Sequence, residues 1–145
     1  MLSKKAVYAV RALTALAEAA PDPMTTGEIA KARALPRKFL EAILLDLKRA
    51  GITTSVRGRE GGYRLNRPAD EISLAEVVRA LDGPLALMPC ASVTSYQPCE
   101  DCPDVAACRT RLIFARGRDA LAAVLENATL ADLTNTPLAV LAEGE

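Results

Sequence analysis

The chain contains no histidine and no tryptophan, and only 3% of its 145 residues are aromatic. Without histidine it cannot build a Ser-His-Asp triad, a Cys-His dyad or a His-ligated metal site. It also lacks a phosphate-binding loop and a dinucleotide fingerprint. Nothing in the sequence therefore argues for an enzyme. With so few aromatic rings, alanine and leucine must fill most of the core, which suits helices.

Long apolar runs are absent as well, although half of the residues are hydrophobic. No run approaches the length of a membrane span, so we expect no membrane partner. Arg11 and Glu18 interrupt the apolar positions of the first twenty residues, and no cleavage-like segment follows them. These residues therefore do not resemble a signal peptide, and the cytoplasm is the expected location.

The net charge of zero conceals a strong asymmetry along the chain. Residues 1–67 hold 13 Lys/Arg and 6 Asp/Glu, whereas residues 68–145 hold 5 and 12. The first part therefore carries a charge of +7 and the second −7. A basic half beside an acidic half is what we expect when one end of a protein faces nucleic acid.

The basic half contains a predicted helix–turn–helix. Thr25 and Glu28 form a Thr-x-x-Glu capping box that begins its first helix. The second helix begins at Pro36 and ends before Gly51, which can take the left-handed backbone that ends a helix. A core face repeats at helical spacing in this second helix, and the opposite face is largely charged. The core face consists of Leu40, Ile43, Leu44 and Leu47, and the charged face of Arg37, Lys38, Glu41, Lys48 and Arg49.

A β-hairpin follows the second helix. Residues 52–56 form a β-branched run, residues 57–62 a turn with three glycines, and residues 63–65 the return strand. Arg57 and Arg59 lie in this turn, where they can contact phosphates or enter a minor groove. Helix–turn–helix followed by such a hairpin is a winged helix–turn–helix. A solvated basic face with a structural role is the competing interpretation.

Helices are predicted on both sides of this motif. Ser3 can cap a first helix that ends near Ala19, with Val7, Val10, Leu13 and Leu16 or Ala17 buried. Lys4 and Lys5 at its start are either phosphate contacts or ordinary surface lysines. Ser73 and Glu76 predict a second capping box, before a helix that Gly83-Pro84 ends.

A long helix is predicted from about Arg109 to Asn127, with two apolar facets, and Thr129 can cap a last short helix. The facets are Ile113, Ala120 and Val124 on one side and Phe114, Leu121 and Leu125 on the other. A helix that is apolar on two sides needs two partners, one of which we expect to be a second copy of the chain.

The fold class is therefore mainly α with a small β-hairpin wing. We divide the chain into a winged domain (1–84), a cysteine loop (85–108), a dimerisation helix with a short terminal helix (109–134), and a tail (135–145).

All four cysteines, Cys90, Cys99, Cys102 and Cys108, lie in the cysteine loop, which shows no periodic pattern. Cys99 and Cys102 form a chelating C-x-x-C pair, and four thiolates can complete either a zinc site or an iron–sulfur cluster. The spacing alone does not separate these two, although zinc sites usually have two close pairs. A thiol switch through Cys99 and Cys102 is a further alternative.

Several stretches of the chain resemble the IscR/NsrR family of bacterial winged-helix transcription regulators. They include residues 5–13 (KAVYAVRAL), 39–44 (FLEAIL), 56–58 (VRG), 61–65 (GGYRL) and 77–81 (VVRAL), together with the cysteine region. The resemblance implies a homodimer that binds operator DNA. It also implies an iron–sulfur cluster, [2Fe–2S] or [4Fe–4S], through which oxygen, nitric oxide, iron supply or redox state changes DNA affinity.

The cysteine pattern departs from this family. Family members usually show three cysteines at five-residue spacing, and here only Cys102 and Cys108 keep it. The family's fourth ligand is often a histidine or a first-helix acidic residue, but the corresponding first-helix region here reads Val7-Tyr8. Ligation by all four cysteines is the simplest hypothesis, and three cysteines with one exchangeable ligand is the other.

The sequence thus predicts a transcription regulator, most simply a repressor, whose cysteine loop controls its affinity for a roughly palindromic operator. We expect Arg37, Lys38 and Lys48 to contact phosphates or guanine, and Arg57 and Arg59 to contact DNA from the wing. Glu41 can accept from a cytosine amino group, and the family uses an acidic residue in this helix similarly. The alternative is a winged-helix regulator with structural zinc or a thiol–disulfide switch in place of a cluster.

Overall fold

A computed structural model describes residues 2–102, 104–137 and 139–140. Met1, Pro103, Leu138 and residues 141–145, which belong to the expected winged domain, cysteine loop and tail, lie outside this description. The mainly helical class with a two-stranded wing is confirmed. The elements in order are α1 (Lys4–Ala19), α2 (Thr26–Arg33), α3 (Arg37–Arg49), β1 (Thr53–Val56), β2 (Gly62–Leu65), α4 (Leu74–Asp82), α5 (Arg109–Asn127) and α6 (Leu130–Asn135), with short 3₁₀ turns at Ala69–Glu71 and Pro89–Ala91.

The predicted core face of α3 is confirmed, since Leu40, Ile43, Leu44 and Leu47 are all buried. They pack with residues of α1, α2 and the segment before α4 into one apolar cluster. This cluster holds α3 rigidly, so that its opposite, charged face is presented to solvent. At the end of the helix Gly51 takes φ +74°, the left-handed conformation that the sequence predicted.

The buried face of α1 agrees with the prediction at Leu13 and Leu16 but differs from it nearer the start of the helix. Val7 is exposed, and the buried positions begin instead with Ala6, Ala9 and Ala12. Alanine has no side chain beyond Cβ, so an alanine face allows α2, α3, α4 and α6 to approach α1 closely. Valine is more hydrophobic than alanine, so the valines were expected to face inward. The alanines instead face the side of α1 against which the other helices pack.

Helix caps explain most of the helix starts. Thr25 and Glu28 form the predicted capping box of α2. The box predicted for α4 is only half formed: Ser73 Oγ accepts from the Glu76 N–H, but the Glu76 carboxylate accepts from Arg67 Nη2 at 2.5 Å. Arg67 therefore ties the end of the wing to α4, in place of the reciprocal cap.

The wing is an antiparallel hairpin in which Thr53 pairs with Leu65 and Val56 with Gly62. Its base is fixed to the chain before α2, because Met24 and Tyr63 exchange backbone hydrogen bonds of 2.9 and 2.8 Å. Gly62 has φ +151°, and a Cβ there would lie 2.3 Å from the Met24 oxygen. Only glycine fits this contact, and it positions the wing relative to α2 and α3.

The long helix α5 has the predicted bounds but is poorly covered. None of its residues is fully buried. Leu125 and Ala122 pack against Ala75, Val78 and Leu85, whereas Ile113 and Val124, on the other predicted facet, are 62% and 66% exposed. Leu121, which was expected to share the packed facet with Leu125, is also exposed.

The chain after α5 returns to the winged domain. Leu130, the first residue of α6, is fully buried among core residues. Two backbone hydrogen bonds reinforce the junction, from Leu74 N–H to the Ala128 oxygen at 2.8 Å and from Leu130 N–H to the Ile72 oxygen at 3.0 Å. The C-terminal end of α5 is thereby fixed to the start of α4. None of the helices in the described part of the chain combines the length and apolarity needed to cross a bilayer.

Candidate functional site

The exposed face of α3 presents Arg37, Lys38 and Glu41 in its first two turns. Arg37 Nε lies 3.4 Å from Glu41 Oε1, in an i,i+4 ion pair between two side chains that are both more than half exposed. Such a pair contributes little to stability, so both groups are free to exchange partners. Lys38 has no ion pair or hydrogen bond with any residue that the structure describes.

A cleft of about 530 Å³ separates the start of α3 from the wing. Arg37 of α3 and Arg59 of the wing both line it, together with the wing glycines. Residues 25–27 at the start of α2 also line it, a contribution that the sequence did not predict. The structure therefore brings Arg37 and Arg59 to one concave surface. Arg57 is exposed on the same hairpin.

Two of the other lysines predicted to contact DNA, Lys48 and Lys5, have partners within the chain. Lys48 Nζ donates to Ser55 Oγ at 2.7 Å and so connects the end of α3 to β1. Lys5 Nζ lies 2.7 Å from Asp46 Oδ2, joining α1 to α3. The pKa of Asp46 is lowered, first by the hydrogen bond from Lys5 and further by the charges of Lys5 and Arg49. Lys4 is exposed at the start of α1.

The four cysteines are all free thiols in one region of the structure. Cys90 is buried in the 3₁₀ turn, and Cys99, Cys102 and Cys108 are half-buried. The pKa of Cys99 is raised, first because its thiol is hydrogen-bonded to Cys90, then by burial and by negative charge on the other three cysteines. All three of the other cysteines therefore contribute to the raised pKa of Cys99.

Four cysteine thiols are a donor set that suits either a tetrahedral zinc ion or an iron–sulfur cluster. Within residues 2–102, 104–137 and 139–140, no three cysteine, aspartate or glutamate side chains are arranged to hold one metal ion. A tetrahedral zinc site needs four sulfurs about 2.3 Å from one point. An iron–sulfur cluster takes the same number of thiolates, distributed over its iron atoms, so the chemistry of the residues present fits either group.

Two arginines of α5 contact the cysteine loop, and the sequence analysis singled out neither. Arg111 Nε donates to the Cys90 carbonyl at 2.9 Å, and Arg118 Nη1 donates to the carbonyl of Ala91. The Arg111 N–H also donates to Cys108 Sγ at 3.4 Å. This last contact is made by the backbone, so it depends on Cys108 at the N-cap and not on the arginine side chain.

Comparison with known proteins gives a consistent result. The sequence model of the Rrf2 family, described as an iron-dependent transcriptional regulator, matches residues 2–136. An rrf2-like HTH-type transcriptional regulator of Rhodobacter capsulatus is 44% identical over 99% of both chains.

Among solved structures, CymR (YrzC), the global cysteine regulator of B. subtilis, is similar at a TM-score of 0.76. It is 30% identical, with 94% of this chain and 98% of that chain covered. T. potens IscR is similar at a TM-score of 0.74 and is 28% identical, with 99% and 93% covered.

Proposed function

Because this chain belongs to the Rrf2 family of transcriptional regulators, we propose that it is a homodimeric repressor whose affinity for operator DNA is controlled by an iron–sulfur cluster in the cysteine loop. The cluster makes the regulator responsive to oxygen, nitric oxide, iron supply or redox state. The chain acts as a regulator and not as an enzyme, in keeping with its relatives. Because bacterial DNA lies in the cytoplasm, we place this regulator there.

The cleft between α3 and the wing is the observation that carries the DNA-binding proposal. Arg37 and Arg59 come from elements far apart in the sequence, yet they line the same concave surface of the basic half. A DNA backbone that passes between the two would meet a guanidinium on each side, and α3 would then lie along the major groove. Lys38, Glu41 and Arg57 are exposed next to this cleft and are assigned to the same interface.

The remaining predicted basic residues are assigned supporting roles in this interface. Lys48 and Lys5 hold α3 against β1 and α1, so any contact they make with phosphate requires them to share or exchange their partners. Lys4 is free to contact the DNA backbone from the start of α1. We therefore rank Arg37, Lys38 and Arg59 above Lys48, Lys5 and Lys4 in contribution to affinity.

The exposed facet of α5 supports the homodimer. Ile113, Ala120 and Val124 recur on one side of the helix and are all exposed to solvent. A second copy related by a twofold axis would cover this facet with the same facet of its own α5. The dimer would place two α3 helices on successive turns of DNA, which predicts a palindromic operator.

Cys90, Cys99, Cys102 and Cys108 would hold the cluster. When bound, it supplies a redox-active centre whose charge and integrity change with oxidants and nitric oxide. The four thiols belong to a loop that is attached to α5, and α5 is attached to the winged domain at Ala128 and Leu130. A change in the loop can therefore alter DNA affinity if the two arrangements of α5 differ in how well they bind the ligand.

A thiol switch is the second candidate, and one observation favours it. The pKa of Cys99 is raised chiefly by its interaction with the Cys90 thiol, which supports a pairing of these two cysteines. An oxidant such as a peroxide would accept two electrons and two protons as the two thiols form a disulfide. The similarity to S. aureus CymR, whose structure is known in an oxidized form, agrees with this candidate.

DNA binding is tested by selecting duplexes from a random pool with the wild-type dimer and then measuring affinity at several salt concentrations. We expect a palindromic consensus and a steep loss of affinity with salt. The Arg59→Ala variant should lower affinity and reduce the salt slope by about 1, whereas Arg116→Ala, which removes an exposed arginine of α5, should change neither. If Arg59→Ala behaves as wild type, the wing is not part of the interface.

A further inference from the structure

We propose that Arg111 is a positioning residue for the cysteine site: it joins the first and last cysteines of the loop, Cys90 and Cys108, to the same turn of α5. This inference rests on the proposed role of the loop in binding a cluster and extends it to a residue outside the ligand set. Arg111 contacts no metal in this assignment; it acts through the backbone of one cysteine and the sulfur of another.

The first contact is a helix cap made by sulfur. Cys108 occupies the N-cap position of α5, and its Sγ accepts from the Arg111 N–H at 3.4 Å. Serine or threonine normally fills this position, because the first N–H groups of a helix have no partner within it. The cap aims the Cys108 sulfur along the positive end of the helix, where a thiolate is favoured.

The second contact uses the side chain of the same residue. Arg111 Nε donates to the Cys90 carbonyl at 2.9 Å, across a separation of 21 residues in the sequence. Cys90 is the only one of the four cysteines that is fully buried. Its carbonyl is therefore held by a charge-assisted hydrogen bond, which is stronger than a bond between neutral groups.

Arg118 extends this attachment by two helical turns. It lies seven residues after Arg111, on the same side of α5, and donates to the carbonyl of Ala91, the residue after Cys90. The successive carbonyls of Cys90 and Ala91, in the 3₁₀ turn Pro89–Ala91, thus accept hydrogen bonds from two arginines of α5. The turn that carries Cys90 is fixed at two points along the helix, and Arg111 is the point that also touches a second cysteine.

The charge of Arg111 adds an electrostatic role. The guanidinium keeps its positive charge at every physiological pH. Four thiolates in one loop would repel each other, and the Arg111 guanidinium, which contacts the Cys90 carbonyl, would offset part of that repulsion. Groups that orient metal ligands in this way typically change metal affinity 10–100-fold when they are removed.

The experiment compares Arg111→Met with Arg109→Met in the full-length protein. Arg109 lies one residue after Cys108 and has no hydrogen bond or ion pair with the residues described here. Its variant therefore removes the same charge but leaves the contact between Arg111 and Cys90 in place. The first readout is the rate at which iodoacetamide labels each cysteine of the metal-free, reduced protein, followed by mass spectrometry. We expect Cys90 to label about 10-fold faster in Arg111→Met, because the turn opens more often, and Arg109→Met to match wild type.

The second readout is the lifetime in air of the reconstituted cluster, followed by its visible absorption. We expect it to fall about 10-fold in Arg111→Met and to stay unchanged in Arg109→Met. Arg111→Lys, which restores the charge but not the planar donor, should recover part of the lifetime and little of the Cys90 protection. Circular dichroism at each step checks that the variants remain folded.

Equal labelling of Cys90 in Arg111→Met and wild type overturns the proposal, and so does equal acceleration in Arg109→Met. If the wild-type protein takes up no cluster, the cluster hypothesis fails, but the labelling of Cys90 still decides whether Arg111 positions it. If the cluster forms and lasts equally long in all variants, the proposed function stands and Arg111 has no role in it.

Discussion

The helices α3 and α5 are both amphipathic, yet they are covered to very different degrees. The 13-residue α3 buries four large aliphatic side chains in the core of the winged domain. The 19-residue α5 buries none and leaves Ile113 and Val124 exposed. The winged domain covers the core face of α3 but leaves Phe39 and Leu45 of the same helix exposed. The apolar facet of α5 is covered less, and in the proposed homodimer a second copy of the chain would cover it.

The two helices also differ in what fixes them. Packing against neighbours on one side holds α3, whereas α5 is held mainly at its two ends and by ion pairs such as Arg79–Glu126, at 2.5 Å. An element with few buried contacts has a lower cost of rearrangement than a core element. In the proposed mechanism, α3 is the rigid part that would read DNA, and α5 is the part that would move.

The largest expected effect is on the stability of the winged domain. Replacing the fully buried Leu44 by alanine should lower the free energy of unfolding by about 2–5 kcal/mol, because it leaves a cavity in the core. Leu45→Ala, on the exposed face of the same helix, should cost less than about 1 kcal/mol. Urea unfolding of the two variants measures both values. Equal losses would mean that α3 is not packed as described.

The second effect is on assembly and should leave the fold intact. Val124→Asp places a charge on the exposed facet of α5 and should weaken the dimer about 30-fold or more, with little change in circular dichroism. Leu45→Asp makes the same chemical change on α3 and should leave the dimer unaffected. Sedimentation equilibrium gives both dissociation constants. A Val124→Asp protein that dimerises as wild type would exclude this facet from the interface.

A smaller effect separates two lysines that the sequence analysis treated alike. Lys38→Met should lower the salt slope of operator binding by about 0.9, the value for one phosphate contact. Lys48→Met should change it less, because Lys48 Nζ is bonded to Ser55 Oγ. Fluorescence anisotropy at several salt concentrations gives both slopes. A larger change for Lys48→Met would show that this lysine exchanges Ser55 for DNA.

The smallest effect is a pH dependence in the winged domain. The pKa of Glu28 is lowered from its ordinary value of 4.5, chiefly because its carboxylate accepts from the Thr25 N–H. The cap therefore stabilises the fold fully above that value, and the contribution disappears as the pH falls through the lowered pKa. Glu28→Gln should lose stability less steeply than wild type on acidification, as measured by urea unfolding at neutral and acidic pH. Parallel curves would contradict this.

Much of the winged domain was predictable, because local signals determine it. The capping residues of α2, the periodic leucines of α3 and the glycines of the wing specify their own elements, and the predicted bounds agree with the structure to within a residue or two. The buried face of α1 was predicted only in part. Leu13 and Leu16 are buried as expected, but hydrophobicity favours Val7, whereas close packing selects Ala6, Ala9 and Ala12. The partners of Lys5 and Lys48 were also missed, since they depend on how distant elements meet.

The cysteine loop was predictable only as a set of ligand types. Its spacing indicated four thiols for one site, but it contains no periodic pattern from which a geometry could be derived. The contacts of Arg111 and Arg118 with Cys90 and Ala91 connect residues 21 and 27 positions apart, so no local signal shows them. These contacts are the point at which the cysteine loop joins α5, and they required the tertiary structure.

The most direct test is made on wild-type protein purified without oxygen. Its absorption spectrum is recorded together with iron and sulfide content, and operator affinity is then measured before and after the cluster is removed. We predict visible charge-transfer bands, matched iron and sulfide, and an affinity change of about 10-fold or more between the two forms. A colourless protein that resists reconstitution, or equal affinity in both forms, would contradict control of DNA binding by a cluster in the cysteine loop.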